Sequence, residues 1–384
     1  MGRPPGTDRL KIIVDQNIRG AGTTFGNHGD LEFMDGRSIS ASDVEDAEIL
    51  IIRTATRVDR DLLGNSRVRF VGTTSIGTDH LDIEWLDQNG IAWSNAPGCN
   101  ADSAAQYTLA MIWLACQRLG RPLQQQRVGI VGRGNVGSRL QRLLRVLDVD
   151  TLANDPPLED QGEAGLVSLQ DALGCDIVSL HVPLEDEGPY PTYRMIGADQ
   201  LAQMTDHALL VNAARGDVID GNALLAELLS RRLHAALDVW PGEPFFSSDL
   251  LSRTLVATPH VAGYSEDGKR NGTRIVYHAF CDWAGINPHT APGSKTSVTD
   301  LQQPELMLAT GEDPLTTALE AACFVPLHDE AMGRLIPLSP EQRAAEFDRL
   351  RREYPARRDF QAWTVHGADA SGAAVLGRLG FSVR

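Results

Sequence analysis

The sequence of 384 residues contains no apolar run long enough to cross a membrane. Its longest apolar-rich stretch, "YTLAMIWLAC" (107–116), has about half the length that a spanning helix needs. The opening segment, "MGRPPGTDRLKIIVDQN", has one short apolar run between charged residues, unlike a secretory signal peptide. We therefore expect a cytoplasmic protein with no membrane partner.

Positive charge is also scarce, with 35 Lys and Arg against 51 Asp and Glu, and the net charge is −16. Non-specific binding to nucleic acid requires a basic surface, so we expect no nucleic-acid partner. A small anionic substrate is compatible with this charge, because a few nearby arginines outweigh a distant negative surface.

Cysteines are few and odd in number, five in all, and no two are close in sequence. This usage predicts reduced thiols, with neither a disulfide framework nor a metal site. Hydrophobic residues make up 42% of the chain, which is typical of globular proteins, and the length suffices for two or three domains.

Short β-branched runs alternate with helical patterns from residue 127 to about 262. "RVGIVG" (127–132) predicts a buried strand, and "NVGSRLQRLLRVL" (135–147) predicts a helix with one apolar face. Further strands are predicted at 150–154, 176–182, 208–213, 234–239 and 254–258. This alternation predicts a parallel sheet covered by helices on both faces.

The first 98 residues repeat this pattern with the predicted strands "KIIVD", "ILIIRT" and "FVGTTS". Long helical patterns at 100–120 and 267–285 would carry the chain into a second domain and back. We therefore predict an α/β fold of two Rossmann-like, doubly wound domains, 1–98 with 266–286 and 99–265, with a cleft between them.

The sequence patterns at the end of the chain, 287–384, predict a small α+β domain. Residues 287–304 are polar and rich in turn formers, which predicts a linker. In "SPEQRAAEFDRLRREY" we predict a helix with Ser339 as its N-cap and Gln342 completing a capping box. "FQAWTVHG" and "FSV" predict strands around a helix in "DASGAAVLGRLG". Because so short a segment is a weak independent core, we expect it to pack against a second copy.

A glycine-rich loop, "GRGNVG", lies between the first strand and helix of the second domain. This context favours pyrophosphate binding at a helix N-terminus. Asp155, at the end of the next strand, can accept hydrogen bonds from an adenosine ribose and would repel a 2′-phosphate. We expect NAD rather than NADP, although Arg133 within the loop could contact a phosphate. The predicted loop contacts are Gly132, Gly134, Asn135, Val136 and Gly137.

Three further polar residues follow predicted strands, where ligands bind in open α/β sheets. They are Arg215 in "NAARGD", Glu243 in "DVWPGEP" and His260 in "TPHVAGY". Arginine binds a carboxylate in a fork, and a glutamate stabilises an imidazolium, so the His–Glu pair can exchange a proton while a hydride moves. Taken alone, Arg215 could form a surface ion pair, Glu243 could be a turn residue, and His260 could be an ordinary loop histidine. The occurrence of all three at strand ends favours catalysis.

These motifs, in this order, resemble those of the D-2-hydroxyacid dehydrogenases. "APGCNA" (96–101), "GTDHLD" (77–82), "EGPYPTY" (187–193) and the C-terminal segment are most similar to the branch of that family that oxidises a phosphorylated 2-hydroxy acid for vitamin B6 synthesis. The resemblance implies a substrate-binding domain at 1–98 and 266–286 and an NAD-binding domain at 99–265. It also implies a homodimer through a dimerisation domain at 287–384.

The resemblance also implies residue roles. Arg215 would bind the substrate carboxylate, Glu243 would hold His260, and His260 would take the C2 hydroxyl proton. Further cofactor contacts would come from Asp155, Asp238 and Gly263, and substrate contacts from Thr54, Ser75 and Tyr264. Thr54 stands where serine is usual, and its hydroxyl is retained.

The substrate phosphate needs additional donors. We hypothesise that Arg53, beside Thr54, supplies one, or that an arginine of "RLRREYPARR" reaches across a dimer; otherwise that run is a solvated helix face. Two other functions stay open: a phosphoglycerate or glycerate dehydrogenase, and an NAD-sensing corepressor without turnover. The packed character of the C-terminal segment disfavours the corepressor.

Overall fold

The computed structural model describes residues 9–288 and 303–384, which form two compact units. Unit 1 comprises residues 9–100 and 266–288, and unit 2 comprises residues 101–265 and 303–384. Most of the predicted linker, residues 289–302, lies outside the described residues.

Unit 1 contains a parallel sheet with the strand order β2-β1-β3-β4-β5. Its strands are β1 (Leu10–Asp15), β2 (Gly29–Met34), β3 (Ile49–Ile52), β4 (Phe70–Thr73) and β5 (Ala92–Ser94). Its helices are α1 (Ala21–Phe25), α2 (Ala41–Val44), α3 (Arg60–Leu63), α4 (Ile83–Gln88) and α12 (Glu266–Ala284).

Unit 2 contains a parallel sheet with the order β11-β10-β9-β8-β6-β7. Its strands are β6 (Arg127–Val131), β7 (Asp150–Asn154), β8 (Ile177–Leu180), β9 (Leu209–Asn212), β10 (His234–Leu237) and β11 (Val256–Ala257). The helices before residue 266 are α5 (Ala101–Leu119), α6 (Asn135–Val146), α7 (Pro156–Asp160), α8 (Leu169–Leu173), α9 (Ala198–Gln203), α10 (Gly221–Leu229) and α11 (Ser248–Arg253).

The rest of unit 2 adds a parallel three-stranded sheet of β12 (Glu305–Met307), β13 (Thr364–His366) and β14 (Ser382–Val383). Its helices are α13 (Pro314–Cys323), α14 (Val325–Gly333), α15 (Pro340–Arg352) and α16 (Ala370–Leu379). The predicted capping box of α15 is confirmed, since Ser339 Oγ accepts the Gln342 N–H and Gln342 Oε1 accepts the Ser339 N–H.

Strand β3 shows why the large sheets are covered on both faces. Its sequence "ILII" is fully buried. Ile49 and Ile51 join one apolar cluster of unit 1, while Leu50 and Ile52 join the other, because successive side chains point to opposite faces. The predicted doubly wound α/β fold with parallel sheets is confirmed.

The segment 303–384 shares a hydrophobic core with the preceding part of unit 2. Leu319 and Ala322 of α13 and Phe360 belong to the same buried cluster as Leu109 and Ile112 of α5. The chain itself thus covers part of the apolar surface of this segment. Its packing against a second copy stays a prediction.

One strand prediction in this segment is half wrong. In "FQAWTVHG" the structure has a 3₁₀ turn, Phe360–Ala362, before β13 begins at Thr364. The Phe360 N–H donates to Gln106 Oε1 of α5, at 3.0 Å, so it cannot pair with a strand.

Within residues 9–288 and 303–384, no helix combines the length and apolar composition that crossing a membrane demands. The five cysteines are buried and unpaired with one another. No three side chains of the metal-ligating types cluster in these same ranges.

Candidate active site

The glycine loop follows β6, next to the point where the chain crosses from β7 to β8 and the winding of the sheet reverses. Ligands of open α/β sheets bind at such switch points. Gly132 has φ +89°, and a Cβ there would lie 2.8 Å from the carbonyl carbon of His181. A Cβ on Gly137 would lie 2.0 Å from the Gly132 oxygen. Gly132 is therefore required for the turn, and Gly137 is required for close packing of the helix against the loop.

This loop has the features that NAD needs. Gly134 and Asn135 are exposed at the start of α6, and a Cβ on Gly134 would meet no atom within 4 Å. Backbone N–H groups at such a helix start are suited to bind a pyrophosphate. The residues present thus fit a dinucleotide.

Asp155 lies directly after β7, beside the loop. Its Oδ2 accepts the Arg133 N–H at 2.7 Å, and its Oδ1 accepts the Leu158 N–H at 3.1 Å as the N-cap of α7. The Arg133 side chain donates to Glu163 at 2.8 Å and to Gln141 at 3.1 Å. An arginine whose charge is paired in this way is a poor binder of a 2′-phosphate, which is consistent with NAD.

Glu243 and His260 are in direct contact. His260 Nδ1 shares a hydrogen bond with Glu243 Oε1, and Glu243 Oε2 accepts the Trp240 N–H at 3.1 Å. The side chains are only 24% and 27% exposed, so each reaches solvent at one side. Because Nδ1 faces the carboxylate, proton exchange with a ligand is left to Nε2.

The environment favours the ionised form of Glu243. Burial raises the pKa of this carboxyl, but the hydrogen bond and charge of His260, the Trp240 N–H and the charge of Arg351 together lower the pKa below its ordinary value. The carboxylate is therefore charged at neutral pH and can stabilise an imidazolium.

Asp238 organises the loop that carries His260. The His260 backbone has φ +56°, a left-handed conformation that is uncommon outside glycine. Its N–H donates to the Asp238 carbonyl at 2.7 Å, and the N–H groups of Val261 and Ala262 donate to the Asp238 carboxylate, each at 2.9 Å. Asp238 is 1% exposed, and this structural role has no signal in the sequence.

Arg215 follows β9, the strand next to β10, and its side chain is exposed. Asn212 shapes this turn, since its Oδ1 accepts the Ala214 N–H and its Nδ2 donates to the Arg215 carbonyl. Arg215 thus lies at the same edge of the sheet as Glu243 and His260. Gly263 and Tyr264, half-buried, continue the His260 loop.

Three predicted site residues belong to unit 1. Arg53 and the exposed Thr54 follow β3, and the half-buried Ser75 follows β4. Arg53 binds both carboxylate oxygens of Asp15, at 3.0 and 3.2 Å, and Asp15 is fully buried at the end of β1. The arginine predicted to bind phosphate therefore already holds a buried carboxylate.

Two arginines of the C-terminal segment reach the His260 loop, which sequence reasoning missed. Arg357 donates to the carbonyl oxygens of Ala262 and Tyr264, and Arg351 donates to the Tyr264 hydroxyl at 3.4 Å. The run "RLRREYPARR" is their only sequence signal. Helical periodicity did not reveal that these arginines contact the loop within the same chain.

Comparison with known proteins bears on the identity of this site. Residues 100–262 match the family model described as D-isomer specific 2-hydroxyacid dehydrogenase, NAD binding domain. A protein of Marinobacter nauticus named erythronate-4-phosphate dehydrogenase is 42% identical over 383 residues, covering 98% of this chain and 100% of the relative. A protein of the same name from Hahella chejuensis is 39% identical, covering 97% of this chain and 99% of the relative.

Solved structures share the fold. The D-lactate dehydrogenase of Lactobacillus jensenii with NAD+ has a TM-score of 0.62 at 22% identity, over 72% of this chain and 98% of that structure. The 3-phosphoglycerate dehydrogenase of Entamoeba histolytica with bound NAD+ has a TM-score of 0.60 at 21% identity, over 72% of this chain and 96% of that structure.

Proposed function

We infer the function of this chain from its family, because it belongs to the erythronate-4-phosphate dehydrogenases, a group of D-isomer-specific 2-hydroxyacid dehydrogenases. We propose that it oxidises 4-phospho-D-erythronate to (R)-3-hydroxy-2-oxo-4-phosphooxybutanoate with NAD, a step in the synthesis of pyridoxal 5′-phosphate. The observation that carries this proposal is the His260–Glu243 pair in a chain 42% identical to such a relative over nearly its full length.

The catalytic residues supply binding and proton transfer. When bound, NAD serves as the hydride acceptor. The Arg215 guanidinium binds the substrate carboxylate in a fork and so fixes the orientation of C2. His260 Nε2 takes the C2 hydroxyl proton, and the ionised Glu243 stabilises the resulting imidazolium.

The remaining contacts follow the family resemblance. We propose that the glycine loop holds the pyrophosphate, Asp155 the adenosine ribose, and Asp238 and Gly263 the nicotinamide side. The proposed substrate contacts are Arg53, Thr54, Ser75 and Tyr264.

Replacing the histidine tests this function directly. We expect His260→Asn to abolish the reduction of NAD by 4-phospho-D-erythronate, followed by nicotinamide absorbance. His207→Asn is the matched control, because exposed His207 has a similar φ, +64° against +56°, and asparagine tolerates this conformation. If the unaltered protein binds NAD but oxidises no 2-hydroxy acid, an NAD-sensing role replaces the enzyme.

We also propose that the chain is a cytoplasmic homodimer assembled through residues 287–384, with no nucleic-acid or membrane partner. The net charge of −16 supports the absence of a nucleic-acid partner. The family resemblance supports the homodimer. Sedimentation equilibrium should give twice the mass of one chain at micromolar concentration. A monomer at all concentrations would contradict the dimer.

A further inference from the structure

The C-terminal segment of unit 2 is fixed to the His260 loop by a buried arginine. Arg357 is 2% exposed and donates to the carbonyl oxygens of Ala262, Tyr264 and Ser103 at 2.7, 2.9 and 3.0 Å. Charge-assisted bonds from one rigid guanidinium to three carbonyls hold these elements in one arrangement. Side chains near Arg357 therefore have defined positions relative to Tyr264.

Arg351 belongs to the same segment and also reaches Tyr264. It lies in the last turn of α15, its Nη2 is 3.4 Å from the Tyr264 hydroxyl, and its guanidinium lies 5.7 Å from the centre of the Phe347 ring. The Tyr354 ring packs edge-on against Tyr264 at 5.8 Å. The charge of Arg351 also acts on Glu243, where it helps to lower the pKa of the carboxyl. Arg351 thus contacts a proposed substrate residue, and its charge acts on the carboxylate of the catalytic pair.

The charge of Arg351 is weakly compensated. Within residues 9–288 and 303–384, its one ion pair is with Asp348, at 3.8 Å, and its buried Nε has no hydrogen-bond partner. The neighbouring Arg349 differs, because it binds Glu346 at 2.7 Å and Glu353 at 2.6 Å. Arg351 therefore keeps donor capacity for an anion that Arg349 has already used.

A phosphate monoester carries a charge of about −1.5 to −2 at neutral pH and three acceptor oxygens, so one arginine does not neutralise it. The charge of Arg53 is balanced by the buried carboxylate of Asp15. The proposed substrate therefore needs another arginine with donors to spare.

We propose that Arg351 and Tyr264 form a subsite for the phosphate group of the substrate, supplied by the C-terminal segment of the same chain. This subsite rests on the proposed function, since it presumes a phosphorylated 2-hydroxy acid. In this proposal the arginine serves the site of its own chain rather than that of a partner across a dimer.

The test compares Arg351→Gln with the unaltered protein on 4-phospho-D-erythronate and on D-erythronate. We expect kcat/KM to fall by about 10- to 100-fold for the phosphorylated substrate and by less than about 3-fold for D-erythronate, because only the former loses a charge-assisted contact. Calorimetric titration of the NAD-free protein with 4-phospho-D-erythronate should show the same selective loss. Arg349→Gln, on the same helix, should change neither.

Equal losses on both substrates, or an equal effect of Arg349→Gln, would overturn the subsite. If Arg351→Gln does not fold, Arg351→Lys keeps the charge without the fork, and a smaller loss confined to the phosphorylated substrate is expected. If the unaltered protein does not oxidise 4-phospho-D-erythronate, the proposed function fails before any variant is compared.

Mixing the impaired Arg351→Gln variant with the inactive His260→Asn variant separates action within a chain from action across a dimer. Co-refolded Arg351→Gln and His260→Asn chains give mixed dimers in which no single chain has both residues. The proposal predicts no recovery of activity on 4-phospho-D-erythronate beyond that of the separate variants. Recovery would show that Arg351 serves the partner's site and would overturn the proposal.

Discussion

The proton chemistry of the proposed reaction depends on Glu243 and His260 together. Glu243 faces Nδ1 of the histidine and is held in turn by the Trp240 N–H. The lowered pKa of Glu243 means that it stays ionised across the neutral range, so the pair can carry one added proton as an imidazolium.

Glu243→Gln retains the shape of this side chain and removes its charge. We expect kcat to fall by about 10²- to 10⁴-fold, because the imidazolium loses its counter-charge and the histidine loses its orientation. Steady-state kinetics should show a much smaller change in KM for NAD. Glu330→Gln, at an exposed ion pair with Arg334, should leave kcat unaltered. A kcat within about 3-fold of the unaltered enzyme would exclude this role for Glu243.

Asp155 both caps α7 and is proposed to bind the adenosine ribose. Asp155→Ser should keep the cap, since serine is a good N-cap, while removing the charge that repels a 2′-phosphate. We expect KM for NAD to rise about 10-fold and the preference for NAD over NADP to narrow. Asp313→Ser, at the N-cap of α13, is the control for capping alone. An unchanged NAD preference would contradict the ribose contact.

Two glycines at the start of helix α6 have different proposed roles: Gly137 is needed for packing, and Gly134 is needed for NAD binding. Gly137→Ala would place a methyl group 2.0 Å from the Gly132 oxygen, so we expect a loss of about 1–3 kcal/mol in unfolding free energy together with weaker NAD binding. Gly134→Ala meets no such contact, and we expect weaker NAD binding with little change in stability. Urea unfolding and fluorescence titration with NAD check both, and equal stability of the two variants would contradict this account.

Elements with strong local signals could be predicted from the sequence. The bounds of β7 match the prediction, and those of α6 match within one residue, because their apolar periodicity and their flanking glycines and aspartate agree. The 3₁₀ turn at Phe360 could not be predicted, since it depends on a bond to Gln106, more than 250 residues earlier.

The candidate site could likewise be predicted from the sequence only in part. Sequence motifs led to Glu243 and His260, whose contact the structure shows. No local sequence pattern indicates the hydrogen bonds of Asp238 to the His260 loop or the contacts of Arg357. Both depend on backbone groups that only the folded chain brings together.

A buried histidine makes the stability of the molecule depend on pH. His328 is 9% exposed and contacts the Tyr107 hydroxyl at 2.9 Å; burial, with the charge of Arg357, lowers its pKa to about 4. Between the ordinary pKa of about 6.5 and this value, the unfolded chain binds a proton that the folded chain does not. The free energy of unfolding therefore falls as pH falls through this window.

At about pH 5 the free energy of unfolding is lower by roughly 2 kcal/mol than at neutral pH because of this histidine. We expect His328→Asn, although less stable at neutral pH, to lose less stability between about pH 7.5 and about pH 5 than the unaltered protein. Urea unfolding at both pH values measures the difference, with His207→Asn as the control. A parallel decline in all three proteins would assign the pH dependence to other groups.

The identity of the substrate is the central claim, and one measurement tests it most directly. It is the kcat/KM of the purified protein with NAD for 4-phospho-D-erythronate, 3-phosphoglycerate and D-glycerate, each checked for its oxo-acid product. We predict that 4-phospho-D-erythronate is preferred over both others by at least about 10-fold, in keeping with a site built for its carboxylate and phosphate. A preference for 3-phosphoglycerate or D-glycerate, or the absence of oxo-acid product from 4-phospho-D-erythronate, would contradict the account.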